Sequence, residues 1–470
     1  MRFVDKENNI REEFVDFVHC EDGVTGEALA QTILGRLRSY GLDTSYLRGQ
    51  GYDGAGNMSG RIRGTAALIQ KEIPTAFYVH CNAHILNLCI VRSCELQPIR
   101  NLMGVMLEIT IFFRYSPKRQ DKLEKKITRI CPEEKKSKLI NLCKTRWVER
   151  HQAFETFADL YVPVVEVFQE ITENPSNWNQ ESLTGAKSLL LAITSFDFLM
   201  AFTVSKDVLG YAKGLSTSLQ AKNHNICKAM QEVSVVKKSL QSAREQVESK
   251  HKEWFQKAKS MAESVNAEEP RLPRKCGRQK HKDNTPAKNI EEHYRVTITV
   301  PFLDHMVTQL NDKFAESQQK ATLALFLIPS QLPENMDWKE LVTMYANDLP
   351  FPENFECELS CWKTKWQSWP GRKPTTLEEA MDHADNLLYP NIHILLRIVA
   401  TLPVTTSECE RSFSCLRRLK TYLRGTMTQT RLSGLALMNI HYDKDINRDT
   451  VITEFARRQP RRMELVNILE

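Results

Sequence analysis

The sequence predicts an α/β protein with a large all-α insertion, on three observations. The chain opens with the order strand, strand, helix, acidic loop, helix, strand; helical apolar spacing dominates after His84; and a dense polar motif around Glu410 follows the last strongly apolar helix. Met1 to Val4 reads as a strand and Asp5-Lys6-Glu7-Asn8-Asn9 as a polar turn. Ile10 to Cys20 reads as an extended return carrying Phe14, Val15, Phe17 and Val18. From Thr25 to Tyr40, Ala28, Leu29, Ile33, Leu34 and Leu37 recur at helical spacing, and Gly41 ends the run. Leu47 to Gly56 is a glycine-rich segment with Asp53 at its centre. Arg61 to Glu72 reads as a second helix, and beyond Pro74 the residues Phe77-Tyr78-Val79 form a strand. A lone hairpin is marginal in water, so this sheet needs partners that the sequence supplies sparingly.

The helical region follows. Apolar periodicity runs through Leu102 to Phe113, Leu160 to Ile171 and Leu183 to Phe202, and Met230 to Ser264 is long, charged and helix-prone. Leu240, Val247 and Trp254 stand seven apart without sustained heptads, which suits helix-on-helix packing better than a coiled coil. Pro270, Pro273, Gly277 and Pro286 interrupt the helices in a linker near 268–290 that carries Arg271, Arg274, Lys275, Arg278, Lys280 and Lys282. Glu291 to Phe302 is readable as a strand or as the lead into a helix from Leu303 to Phe314. Four tryptophans between Pro329 and Pro374, Trp338, Trp362, Trp366 and Trp369, read as packing anchors, and Cys357-x-x-x-Cys361 lacks a second ligand pair. Helix resumes at Leu377 and again from Ile392 to Leu402. No segment repeats at a constant period.

Composition narrows the function classes. The 470 residues are 41% hydrophobic and 26% charged, which excludes wholesale disorder and points to two or three packed units. With 64 Lys and Arg against 58 acidic residues, the net charge of +6 permits nucleic acid without requiring it. Cysteines are scattered rather than paired, against a secreted disulfide framework. No apolar signal core appears in Met1 to Asn9 and no long uncharged apolar run appears elsewhere, so no membrane association is expected and nucleus or cytoplasm is the expected compartment.

The densest motif is Thr405-Thr406-Ser407-Glu408-Cys409-Glu410-Arg411-Ser412-Phe413. Ser407 with Glu410 three residues later fits a capping box. Beyond it, Leu416 and Leu419 give an apolar face opposite Arg417, Arg418 and Lys420, and a second amphipathic segment holds Leu432, Leu435, Ala436, Met438 and Ile440. Periodicity is compatible with either core or oligomer surface here. Cys81-x-x-His84 pairs a thiol with an imidazole but lacks the CxxC…HxxxH pattern of structural zinc. Arg146-Trp147 joins a phosphate-pairing group to a base-stacking one.

Four separated motifs in order carry a resemblance: Gly51-Tyr52-Asp53-Gly54-Ala55-Gly56-Asn57-Met58, Cys81-Asn82-Ala83-His84-Ile85-Leu86-Asn87-Leu88, Thr145-Arg146-Trp147, and Ser407 to Ser414 with Arg431 to Met438. Together they resemble hAT-family transposases, named for hobo, Activator and Tam3, and especially the transposase-derived proteins of the zinc-finger MYM and protein-kinase-inhibitor-repressor type. The resemblance implies a ribonuclease-H-like fold interrupted by a helical insertion. It also implies three acids holding Mg²⁺ or Mn²⁺ for strand cleavage. Asp53 matches the second acid and Glu410 the last, so both are the catalytic and metal-binding candidates. The first aspartate has no counterpart, since Asp5 falls in the turn after the first strand. The expected fold is therefore an incomplete ribonuclease-H-like one missing its first strand, truncated at the amino end and without cofactor unless the site is completed.

By the same resemblance, Cys81, His84, Arg146 and Trp147 handle DNA ends. Arg271, Arg274 and Lys275 of the linker are candidates for backbone contact. Phe413, Leu416, Leu419, Leu432, Leu435 and Met438 form the dimerisation surface of a homodimer, with DNA as a candidate partner. The implied organisation is a partial ribonuclease-H-like domain at 1–98, a helical insertion at 99–390, a dimerisation region at 391–445 that completes the first domain, and a polar tail at 446–470. The leading expectation is a dimerising transposase-derived protein that does not cut DNA. Its alternatives are a metal-dependent transposase whose first aspartate lies upstream, and a domesticated DNA-binding or transcription-associated factor.

Overall fold

A computed structural model describes residues 1–142, 147–221, 225–267, 269–272, 287–316, 320–421 and 426–458. Strands β1 (Arg2–Val4) and β2 (Ile10–Glu12) pair antiparallel, with Val4 opposite Ile10. Their turn is closed by Asp5, whose Oδ1 accepts from the amides of Glu7 at 3.0 Å and Asn9 at 2.8 Å, while Asn8 takes a φ of 61°. The return strand ends at Glu12, short of the expected Cys20. Helix α1 (Gly26–Ser39) starts where its spacing predicts: Thr25 Oγ1 accepts from Ala28 N, and Gly41 past the other end has a φ of 74°.

The glycine-rich segment expected to be a loop is in fact strand β3 (Gly49–Tyr52), parallel to β4 (Phe77–His80), with Tyr52 opposite His80. A short α2 (Gly56–Ser59) and α3 (Thr65–Glu72) make the crossover, so the second helix starts four residues later than predicted. Buried Gln50 ties β3 to this crossover by donating to the carbonyls of Ala66 and Ala76, each at 2.9 Å. A small core of Ala30, Leu34, Ile69, Ile73 and Ala76 fills the space between α1 and α3. Among the described residues the strands form two separate pairs and not one sheet.

The body is helical: α4 (Asn82–Ser93), α5 (Gln97–Arg114), α6 (Pro117–Ile130), α7 (Trp147–Glu173), α8 (Gln180–Ile193), α9 (Phe196–Leu219), α10 (Ile226–Glu245) and α11 (Val247–Ser264). The apolar run from Leu183 to Phe202 is broken where Ser195 caps α9 by accepting from Phe198 N, and α8 and α9 meet at a bend of 67°. Helix α9 sits at the centre of the main core, where its Phe202 ring meets Phe154 and Phe157 of α7 and Phe198 one turn earlier on α9 itself. Leu240, Val247 and Trp254 are all buried, as their spacing suggests. The ambiguous segment from Glu291 is helical throughout: α12 (Ile290–Tyr294), a π turn over Arg295–Thr299, and α13 (Val300–Glu316). Buried His251 clamps it, 2.8 Å from both Thr299 Oγ1 and the Glu291 carbonyl, and burial pulls its pKa below the usual histidine value. Among the described residues no single helix is long and apolar enough to cross a membrane.

The remaining helices are α14 (Lys339–Met344), α15 (Phe355–Gln367), α16 (Leu377–His383), α17 (Pro390–Thr401), α18 (Ser407–Leu419), α19 (Gln429–Ile440) and α20 (Arg448–Arg458). Trp338, Trp362 and Trp366 are buried as the packing anchors expected, whereas Trp369 is 37% exposed and lies at the edge of the cluster. The start of α17 is capped from inside the core: Glu358 accepts from Ile392 N at 2.7 Å and from the Asn391 side chain at 2.7 Å. Helix α17 then grips the amino-terminal hairpin, as Arg397 donates to Asn8 Oδ1 at 2.7 Å and to the Val4 carbonyl at 3.0 Å. A half-buried ion pair, Arg48 with Asp348, fastens the start of β3 to the loop before α15.

Candidate functional site

Parallel strands direct their carboxyl ends, and the residues that follow, to one edge. Here that edge presents Asp53 after β3, and His80 and Cys81 at the end of β4, with His84 one turn into α4. The third wall comes from the far end of the sequence. Leu402-Pro403-Val404 runs along β3, and the Val404 carbonyl accepts from Asn82 N at 3.0 Å. Glycines make this approach feasible: a Cβ at Gly51 would stand 2.7 Å from Pro403 Cβ, and one at Gly49 would stand 2.9 Å from Pro403 Cδ. We predict that Gly51→Ala costs about 1–3 kcal/mol through overpacking. A urea-unfolding midpoint that does not move would show that Pro403 does not sit on this strand.

The contact delivers the start of α18 to Cys81. Thr406 N donates to Cys81 Sγ at 3.2 Å, and Thr406 Oγ1 stands 3.3 Å from the same sulfur and 3.5 Å from Glu410 Oε1. Thr406 is the residue that sequence reasoning missed, although the Thr405-Thr406-Ser407 run marks it. It also corrects the capping box: α18 takes Thr406 as its N-cap with no side-chain cap hydrogen bond, and Ser407 is buried inside the helix. The sulfur and Glu410 claim the threonine hydroxyl, and a capping box forms instead at Thr376 and Glu379 before α16.

Asp53 is exposed, and its Oδ1 accepts from Ala55 N at 3.1 Å, as an Asp-Gly turn does. Its carbonyl accepts from the Tyr78 hydroxyl at 3.2 Å. Burial, then the nearby Asp53 charge, pushes the Tyr78 phenol up to about 12, so it stays a donor. A row of rings crosses the edge: Tyr52 to Tyr78 at 6.2 Å, Tyr78 to His80 at 6.1 Å and His80 to His84 at 5.5 Å between centroids. A Cβ at Gly54 would lie 3.2 Å from His80 Nε2, so the Asp53 loop passes close over the imidazoles. Cys81 is only 2% exposed and turns its thiol to Thr406, whereas His84 is half-buried.

Asp53 and Glu410 thus flank one edge of the βαβ unit. Among the described residues no three His, Cys, Asp or Glu side chains converge to hold a metal, and this donor set does not fit a two-metal centre. Trp147 begins α7. Arg146, and Arg274 and Lys275 of the linker, lie outside the described residues, while Arg271 lies within them and is exposed.

The tail candidates divide. Leu432 is 6% exposed and packs within the chain; Leu416, Leu419 and Leu435 are half-buried; Phe413 is 61% exposed and Met438 57%. Helices α18 and α19 pack on each other and lean on the stretch after β2. The Phe413 and Phe17 rings are 6.0 Å apart, His441 Nε2 lies 3.1 Å from the Phe14 carbonyl, and Lys444 meets Glu13 at 3.1 Å.

Comparison with known proteins agrees with these two ends. A family model described as the ZMYM1/FAM200, RNase-like domain matches residues 1–64, and one described as the hAT family C-terminal dimerisation region matches residues 360–443. The chain is 32% identical over its whole length to the mouse (Mus musculus) 52 kDa repressor of the inhibitor of the protein kinase, and 31% identical over 99% of its length to the human (Homo sapiens) protein of that name. It spans 63% and 62% of the length of these relatives.

Proposed function

We propose that the chain is an hAT-transposase-derived protein that acts as a homodimer joined through its α18–α19 hairpin and does not cut DNA, a reading supported by its match to the hAT family C-terminal dimerisation region and its likeness to the mouse repressor. The exposure of Phe413 and Met438 on that hairpin carries the reading: two large apolar side chains standing in water gain by burial against a second copy. Light scattering at micromolar concentration should give twice the 54.2 kDa protomer mass, and Phe413→Glu with Met438→Glu should return it to the protomer value. A wild-type chain that stays at the protomer mass sinks the proposal.

The remnant reading belongs to the same proposal: β3, α3 and β4 with Asp53 and Glu410 at their edge are what a degenerate ribonuclease-H-like centre would keep. That no three ligating side chains converge among the described residues supports the loss of cleavage by this chain, since in-line phosphoryl displacement needs oxygen ligands on both ions. Incubation with Mn²⁺ and a DNA substrate bearing terminal repeats should yield no cut strand; cutting that vanishes in Asp53→Ala and Glu410→Ala would overturn this part. Nuclear residence, and DNA contact through Arg271 and its basic neighbours, complete the proposal, supported by the charge of that linker.

A further inference from the structure

A groove of about 990 Å³ opens on the helical body between α7, α9 and α11 and shares no residue with the Asp53–Glu410 edge. It also lies outside both matched regions, since its residues fall between Ala158 and Ser264. Its floor is apolar: Ala158, Tyr161 and Val162 from α7, Phe202 from α9 and Met261 from α11. Tyr161 spends its hydroxyl on the Ile193 carbonyl at 3.0 Å and, like Phe202, is nearly fully buried, so the half-buried Ala158, Val162 and Met261 present the accessible apolar surface of the floor.

The rim has the opposite character. Lys257 is paired with Asp207 at 2.6 Å and Glu253 with Lys250 at 3.4 Å, so both acids of the rim are already neutralised. Lys206 and Lys252 remain, without an ion-pair partner among the described residues. The groove follows α11 from Ser249 to Ser264, roughly 22 Å at the rise of an α-helix, which accommodates a helix of about four turns. Arg271, exposed and seven residues past Ser264 in the chain, carries a further positive charge.

We propose that this groove docks an amphipathic helix of an acidic partner protein, its apolar face on the Ala158, Val162 and Met261 floor and its carboxylates toward Lys206 and Lys252. A helix laid in a groove uses both features at once, whereas a nucleic acid would leave the apolar floor unused. A second copy of this chain fits less well. Its exposed helix α20 offers Val451, Ile452 and Phe455 but carries Arg448, Arg457 and Arg458 against Asp449 and Glu454, an excess of the same sign as the rim.

The test is fluorescence anisotropy on the full chain with a labelled peptide of about 18 residues, Leu at helical i, i+3, i+4 and i+7 positions and Glu along both flanks. Controls are a scrambled peptide of the same composition, a peptide with Lys for each Glu, and a single-stranded oligonucleotide. The acidic amphipathic peptide should bind, and Lys206→Glu with Lys252→Glu, or Ala158→Trp in the floor, should each weaken it by about tenfold or more with the melting temperature unchanged. The proposal is overturned if that peptide does not bind, if the scrambled or Lys peptide binds equally, if the variants leave binding intact, or if the oligonucleotide binds more tightly through the same two lysines.

Discussion

Arg48→Ala is predicted to destabilise the folded chain by about 2–4 kcal/mol, because it strands a largely shielded carboxylate and three loop acceptors. The two side chains are 11% and 12% exposed, and Arg48 Nε donates to Asp348 Oδ2 at 2.8 Å. The same guanidinium also reaches the Ser45 carbonyl at 2.6 Å and Thr75 Oγ1 at 3.2 Å, so one side chain satisfies the loop before β3, the loop before β4 and the loop before α15. Removing both partners is milder than removing one: Arg48→Ala with Asp348→Ala should recover part of the loss. Urea unfolding of the two single variants and the double variant measures this, and a single-variant loss below about 1 kcal/mol would mean that water already serves the pair.

Trp362→Ala should cost a similar amount, about 3–5 kcal/mol, by emptying the centre of the tryptophan cluster. Trp362 is 0% exposed, lies 5.3 Å from the Trp366 ring and 4.8 Å from the Tyr389 ring, and donates to the Leu327 carbonyl at 3.0 Å. Lys365 Nζ sits 5.1 Å from all three rings, a cation lodged among π faces, and burial lowers its pKa. Trp362→Phe keeps a ring and loses the indole donor, so its loss should be much smaller. Equal losses in the two variants would show that the Leu327 hydrogen bond, not the packing, governs this cluster.

Helices were legible where one face meets one core. Thr25 and Gly41 bracket α1 in the sequence as they do in the structure, because cap and stop act within a few residues of the chain they end. Strand β3 was hidden because Gly49-Gln50-Gly51-Tyr52 lacks the β-branched residues that mark strands. Its glycines answer to Pro403, a constraint from more than three hundred residues away that no local window contains. Arg295 to Thr299 has the alternation of a strand yet winds as a π turn, held by the clamp from His251. In the candidate site, Asp53, Cys81, His84 and Glu410 were found by motif. Thr406, which links Cys81 to Glu410, depends on the fold bringing α18 beside β4.

The grip of Arg397 on Val4 has a consequence for how the molecule is made. The two residues are 393 positions apart, and at usual rates of synthesis the hairpin waits roughly 20 to 80 s on the ribosome before its clasp exists. A two-stranded hairpin does not hold itself in water over such an interval. The helical bundle can condense meanwhile from neighbouring helices, so nascent chains should pass through a stage with a formed body and an unclasped β1–β2 hairpin. At that stage the edge of β1 and the face of β3 are offered to chaperones, or to one another on adjacent ribosomes, until α17 and the Leu402-Pro403 segment emerge and close them.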